Sequence, residues 1–496
     1  MTRSLPSNKV VFALFLALFL GMGTANAHEY SFSAVCSSGQ TLYYNIIDAT
    51  NHYVEITCPG PEGYAWSGYS QPTGNITLPS TVSHDGVTYT VKRIGDNAFE
   101  ACWQLTGSLT IPNTVTEIGM SAFAECTGFT GTLTIGNSVT TIGPSAFEGC
   151  DGLTGSLTIP DSVTEIGDFA FYRCSAINGT LTIGTSVTKI DEFAFGSMTF
   201  SHVYFNATNC LDYGGAFKFT HAYGLTFGNN VEYIPSYFCV SGHFFGTLTI
   251  GTSVETIGDH AFEDCVGFTG PLYIPNSVVS IGDYAFDGCE GFTSLTLGNY
   301  VATIGSSAFN SCTGFTDVGL TIPNSVSLIG SNAFYNCTGF TGSLTIGNAV
   351  EYIGYAAFRN CSGFTQVYYN AINCADFSSS SYNPFNGCGG SFYIGNYVQR
   401  IPSNCLNGCT GFTGRLVIGS SVTEIGAYAF GGCSNFTSIT AYPETPPHIG
   451  TTIFDEVPKT IPLNVPCSGF GDYKTATGWS EFTNIHRLDD NCDLLT

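Results

Sequence analysis

The segment LTIPNTVTEIGMSAFAECTGFTGT, residues 109–132, is followed directly by LTIGNSVTTIGPSAFEGCDGLTGS, residues 133–156. The two agree at nearly every apolar position, and the same wording returns from Leu157, Leu181, Leu248, Leu272, Leu295, Leu320, Leu344 and Leu416. Looser copies begin at Ile76, Val203, Leu225, Val367, Phe392 and Ile439. Sixteen copies at a period near 24 residues mark a stacked repeat rather than several globular domains. In each copy the recurring apolar set is that of Leu109, Ile111, Val115, Ile118, Ala122, Phe123, Cys126 and Phe129. The Leu-Thr-Ile stretch alternates as a half-exposed strand does, so Leu109 and Ile111 face inward and Thr110 outward. One coil leaves both flanks of its small core open. Only neighbours above and below complete the burial that offsets the ordering of the chain.

The expected fold is a mostly-β solenoid of the α/β class, with about sixteen coils of 22–25 residues, one parallel strand per coil, and a cap at each end. Residues 28–75 lack the repeat and read as an amino-terminal β cap. The coils fill 76–438, and 439–496 hold the last coil and a closing segment. Copies starting at Leu272, Leu344 and Leu416 have 23 residues and lack the Gly that others insert before the strand; the extra residue of the longer copies reads as a tolerated bulge at the strand entrance. Asp85-Gly86, between Val82 and Val87, is a hairpin turn signal.

Residues 1–27 read as an export signal, with Arg3 and Lys9, an apolar run from Val10 to Leu20, and Ala25-Asn26-Ala27 for cleavage. No later stretch approaches the roughly 20 apolar residues needed to span a bilayer. The first cysteine, Cys36, is too far past Ala27 to carry a lipid anchor. A secreted or cell-surface protein without a transmembrane segment is expected. Losing Arg3 and Lys9 takes the net charge from −24 to −26, which excludes nucleic acid as a partner held by counterion release.

The outward strand positions form a row of Thr110, Thr134, Thr158, Thr182, Thr249, Thr296, Thr321 and Thr345, interrupted by Tyr273, Tyr393 and Val417. The row is a candidate ligand face; the alternative is that threonine simply suits an exposed strand. A second-order repeat, VYFNATNCLD at 203–212 and VYYNAINCAD at 367–376, introduces irregular coils carrying Ile234-Pro235 and Ile401-Pro402. These two cassettes read either as ligand sites or as duplicated structural units. Acidic columns, with Glu117, Glu165, Glu255, Glu351 and Glu424 before the Ile and Asp96, Asp168, Asp259 and Asp283 after the Ile-Gly pair, suit a solvated face, a cationic partner or weak calcium binding.

Twelve of the twenty cysteines, Cys126 and Cys150 among them, fall three residues after the Phe of Ala-Phe or its equivalent, a slot that Met198 also fills. A thiol interchangeable with methionine behaves as a buried small hydrophobe rather than a metal ligand. Two other pairs, Cys36 with Cys58 and Cys467 with Cys492, are candidate disulfides for stapling the ends.

The pattern LTIPxSVTxIGxxAFxxCxxF resembles the BspA-like leucine-rich repeats of secreted and surface proteins in bacteria and some protozoan parasites. The resemblance runs from about Ile76 to Ile485, and Tyr30–Ile46 and Pro443–Ile485 are similar to the family's opening and closing segments. It implies a curved leucine-rich repeat solenoid used for adhesion, with host-cell or extracellular-matrix proteins as partners. A glycan partner and a purely shielding surface role are the alternatives. No metalloprotease, nucleophile-elbow, P-loop or dinucleotide motif occurs in the chain, so neither an enzyme nor a cofactor is expected.

Overall fold

The computed structural model describes residues 30–60, 65–210, 212–213, 215–217, 220–240, 243–316, 319–377 and 382–488. The export signal expected at 1–27 and Cys492 lie outside them. The chain is a solenoid of about 16 turns with parallel strands and, among the described residues, one four-residue helix, Phe470–Tyr473. The front of each coil is the Leu-Thr-Ile strand. Leu109–Thr110 lies parallel to Leu133–Thr134, with Leu109 opposite Leu133 and Thr110 opposite Thr134. The leucines are buried and the threonines exposed, as a period of two requires.

The sequence reading allots one strand to each coil; the front ladder carries it, and most coils add a second, back strand. A back strand at the residue pair ending in Ile joins Glu117–Ile118, Thr141–Ile142, Glu165–Ile166 and Lys189–Ile190 in a parallel ladder. Where a glycine follows, it lets neighbouring coils close up: a Cβ on Gly167 would lie 2.5 Å from the backbone nitrogen of Pro144. Asp191 takes that place after Ile190. Two-residue strands are too short to leave an alternating signature, which hid them.

The third side of the coil is the Ala-Phe turn. There too the backbone bonds from coil to coil, with Phe123 N–H to Ala146 O and Phe147 N–H to Ala170 O, both 2.8 Å. The residue before the ladder cysteine takes a left-handed backbone in every such turn described here: Glu125, Arg173 and Asp264 at φ 56°, 62° and 55°, Gly149 and Gly288 at 67° and 69°. The aromatic rings of Phe99, Phe123, Phe147 and Phe171 stack along the axis, with centroids 5.0, 5.4 and 5.2 Å apart and planes within 8°. The front ladder shifts register at the strand entrance between Gly270 and Pro271 and between Gly342 and Ser343.

At the amino end, Phe32–Val35, Thr41–Asp48 and Tyr53–Thr57 form an antiparallel sheet. Its last strand runs parallel to Val87–Ile94, which continues into the back ladder at Glu117–Ile118. The hairpin turn at Asp85-Gly86 joins Thr81–His84 to Val87–Ile94. At the other end Leu463–Val465 and Ile485–Arg487 extend the front sheet. Trp479 and Tyr473 are fully buried there, the indole donating to Pro447 O and the phenol to Pro443 O.

The expected Cys36–Cys58 disulfide is absent, because both are free thiols. The strand Thr41–Asp48 lies between the strands that precede them. Two strand spacings, about 9.5 Å, exceed the roughly 7 Å that a disulfide can bridge. Cys36 Sγ instead meets Ser38 Oγ at 3.1 Å, and Cys58 Sγ donates to Gly60 O. Cys467 is disulfide-bonded.

Candidate binding face

The front ladder fixes which side chains share one outward row. Thr158, Thr182, Tyr204, Thr226 and Thr249 stand opposite one another on consecutive strands. Tyr273 faces Thr296, and the row resumes as Thr321, Thr345, Tyr368, Tyr393, Val417 and Thr440. Every residue of this row is exposed or half-buried. The threonines named from the sequence therefore lie on one face, Thr110 and Thr134 included. Sequence reasoning missed Tyr204, Thr226, Tyr368 and Thr440, the first three in the cassettes. The coils of those three open with Val203, Leu225 and Val367 in degenerate contexts, but the repeated Val-Tyr of the two cassettes already placed a tyrosine one residue after the inward position.

Each cassette turns the threonine row into an aromatic station. In the first, the front strands lengthen to seven residues, His221–Phe227 and His243–Thr249. Beside Tyr204, 40% exposed, they carry Tyr223 at 63% and Phe245 at 36%, ring centroids 5.8 Å apart. His221 stands opposite His243, rings 4.7 Å apart. His202 packs on Tyr204 at 4.4 Å and pairs its Nε2 with Thr226 Oγ1 at 2.8 Å. Burial pushes the His202 imidazole below its ordinary pKa, which favours the neutral ring in this contact.

In the second cassette, Tyr368 and Tyr393 stack at 4.8 Å with planes 18° apart. Arg415 sits over the Tyr393 ring, 5.3 Å from the centroid, and its Nε donates to the phenol oxygen at 3.1 Å. That bond to Tyr393 holds the guanidinium above its ordinary pKa. The geometry offers large amphipathic rings, held by packing on a regular sheet and ringed by hydroxyls. Such a surface can bury apolar area against a partner while supplying hydrogen bonds at its edge.

The other candidates resolve into structure. Asp96, Asp168, Asp259 and Asp283 each accept a backbone N–H from the next coil, from Met120, Glu192, Asp283 and Ser306 at 2.6–2.9 Å. Glu117, Glu165 and Glu424 occupy the back strand directly before the Ile, whereas Glu255 and Glu351 stand one residue earlier. The ladder cysteines are buried and also polar in use. Cys126, Cys150, Cys174 and Cys289 each donate to the carbonyl of a phenylalanine in the preceding coil, at 3.0–3.1 Å. Among the described residues no cluster of three or more His, Cys, Asp or Glu could hold a metal ion, and no helix is long and apolar enough to cross a membrane.

The profile of the BspA type leucine rich repeat region matches this chain at 74–155, 92–208, 153–269, 271–389 and 399–470. No curated protein matches it. Among solved structures, the chain is similar to a leucine-rich repeat protein from Bacteroides ovatus, with 20% identity, 93% of this chain and 100% of that one covered, and a TM-score of 0.40. It is also similar to a leucine rich cell surface protein from Faecalibacterium prausnitzii, with 22% identity, coverage of 94% and 97%, and a TM-score of 0.31. A third is the pneumococcal vaccine antigen PcpA, with 13% identity, coverage of 93% and 100%, and a TM-score of 0.27.

Proposed function

The chain belongs to the BspA-type leucine-rich repeat family, and from that membership we propose that it is a non-enzymatic binding protein of the cell exterior. It grips a protein ligand, of a host cell or the extracellular matrix, on the front face of its solenoid. The observation that carries this reading is the exchange of threonine for tyrosine at one register position in both duplicated cassettes, Tyr204 and Tyr368. Tyrosine and arginine concentrate binding energy at protein interfaces, and an uncharged row of threonines around them costs less to desolvate than charged side chains would. The cassettes are seven coils apart, about 34 Å at the strand spacing, so one extended ligand can meet both.

The test is binding of the purified protein to a panel of matrix proteins, host-cell surface proteins and arrayed glycans. Saturable binding to a protein is expected, weakened about 30-fold or more by Tyr204→Asp or Tyr368→Asp and little by Thr110→Asp, the contrast between a hot spot and its surround. Binding that ignores both tyrosines, binding to glycans alone, or no saturable binding overturns the proposal.

A further inference from the structure

We propose that Cys239 and Cys265 are a redox pair that closes to a disulfide in an oxidising compartment, stapling the irregular coil of the first cassette to the regular coil after it. The pairing follows from two registers meeting at one point. A regular coil reads Ala261-Phe262-Glu263-Asp264-Cys265, whereas the irregular coil reads Phe238-Cys239 at the same place. Cys239 N–H bonds to Ala261 O at 3.0 Å, the bond that the phenylalanine makes in regular coils, as in Phe147 N–H to Ala170 O. Cys239 therefore holds the phenylalanine slot.

The ladder cysteine of each coil points its thiol at the carbonyl of that slot in the coil before, as Cys289 does toward Phe262 O at 3.0 Å. Cys265 obeys the rule and reaches Cys239 O at 2.7 Å. Where its neighbour would present an inert aromatic ring, it meets a second thiol, and the two sulfurs lie 3.1 Å apart. That is about 1 Å beyond a covalent S–S bond. Both residues are free thiols here and both are buried.

The chemistry is thiol–disulfide exchange with an external low-molecular-weight disulfide as oxidant. One thiol, as thiolate, attacks the external disulfide, forming a mixed disulfide and releasing one small thiol. The second thiolate then attacks the protein sulfur of that mixed bond, forming Cys239–Cys265 and expelling the other small thiol. Two protons leave the protein, and its two electrons reduce the external disulfide. Burial raises the Cys239 thiol well above its ordinary pKa, so exchange is fast while the coil is still closing and slow once it has closed. The bond locks together the coils that carry Tyr223 and Phe245.

The test uses the full chain, exported into an oxidising compartment, with free thiols alkylated in denaturant at lysis and the protein digested without reduction. A peptide pair joined through Cys239 and Cys265 is expected. It should vanish on reduction and in Cys239→Ser, while Cys126 and Cys289 are recovered alkylated. The variant Cys239→Ala removes the thiol without adding bulk beside the buried Phe238 and should fold, by circular dichroism, with Cys265 alkylated. Recovery of both Cys239 and Cys265 as alkylated thiols from folded exported protein, or of either joined to another cysteine, overturns the proposal.

Discussion

One slot in the repeat accepts a thiol, a thioether or a hydroxyl, and the hydroxyl explains what the slot is for. Thr220 stands three residues after Phe217, where regular coils have cysteine, and its Oγ1 donates to Phe195 O at 2.6 Å in full burial. Met198 apart, the column is thus a line of small donors for inter-coil carbonyls, which cysteine serves with little desolvation. Thr220→Val keeps the shape and removes the donor, so urea unfolding should show a loss of about 1–2 kcal/mol, whereas Thr220→Cys should stay within about 0.5 kcal/mol of wild type. The burial of these cysteines was readable from Met198 sharing their position. Their bonds were not, because the acceptor lies in another coil about 27 residues away.

Among the elements, front strands present the row of threonines and tyrosines and back strands hold the stack. The back ladder begins with an ion cluster across three strands: Arg93 contacts Glu55 at 2.7 Å, Asp96 at 2.6 Å and Glu117 at 2.8 Å. Burial draws the Arg93 pKa down, but its bonds to Glu117 and Glu55 outweigh that and hold it above the ordinary value. The Glu55 side chain is only 8% exposed, so Arg93→Ala strands a buried carboxylate. It should destabilise the amino-terminal sheet by about 2–3 kcal/mol, read as earlier proteolysis of residues 30–60 and a lower urea midpoint. Arg400 makes a similar bridge to Asp376 and Glu424, but these are 47% and 57% exposed, and Arg400→Ala should cost less than about 1 kcal/mol. The front strands were legible in their alternation, and the back strands were not, since pairing between coils defines them.

For the whole molecule, stability should be nearly a sum over coils and their contacts. Deleting residues 133–156 brings Leu157 onto Leu109 in unchanged register, and the shortened protein should fold with undiminished far-ultraviolet dichroism per residue. Ending the chain at residue 437 should fail. It uncovers Phe430 and Phe436, the first now stacked on Phe454 at 5.9 Å, and removes the buried Trp479 and Phe482, so aggregation in size-exclusion chromatography is expected. The sequence by itself determined the solenoid, the number and length of its coils, the inward columns and the family, because a repeat writes each local requirement many times over. Only the tertiary structure decided that most coils have a second strand, that Cys36 and Cys58 stay apart, and that Tyr204 and Tyr368 join the threonine row while Cys239 meets Cys265. These depend on which residue lies opposite which in the next coil, and in the irregular cassettes that register is set by packing rather than by period.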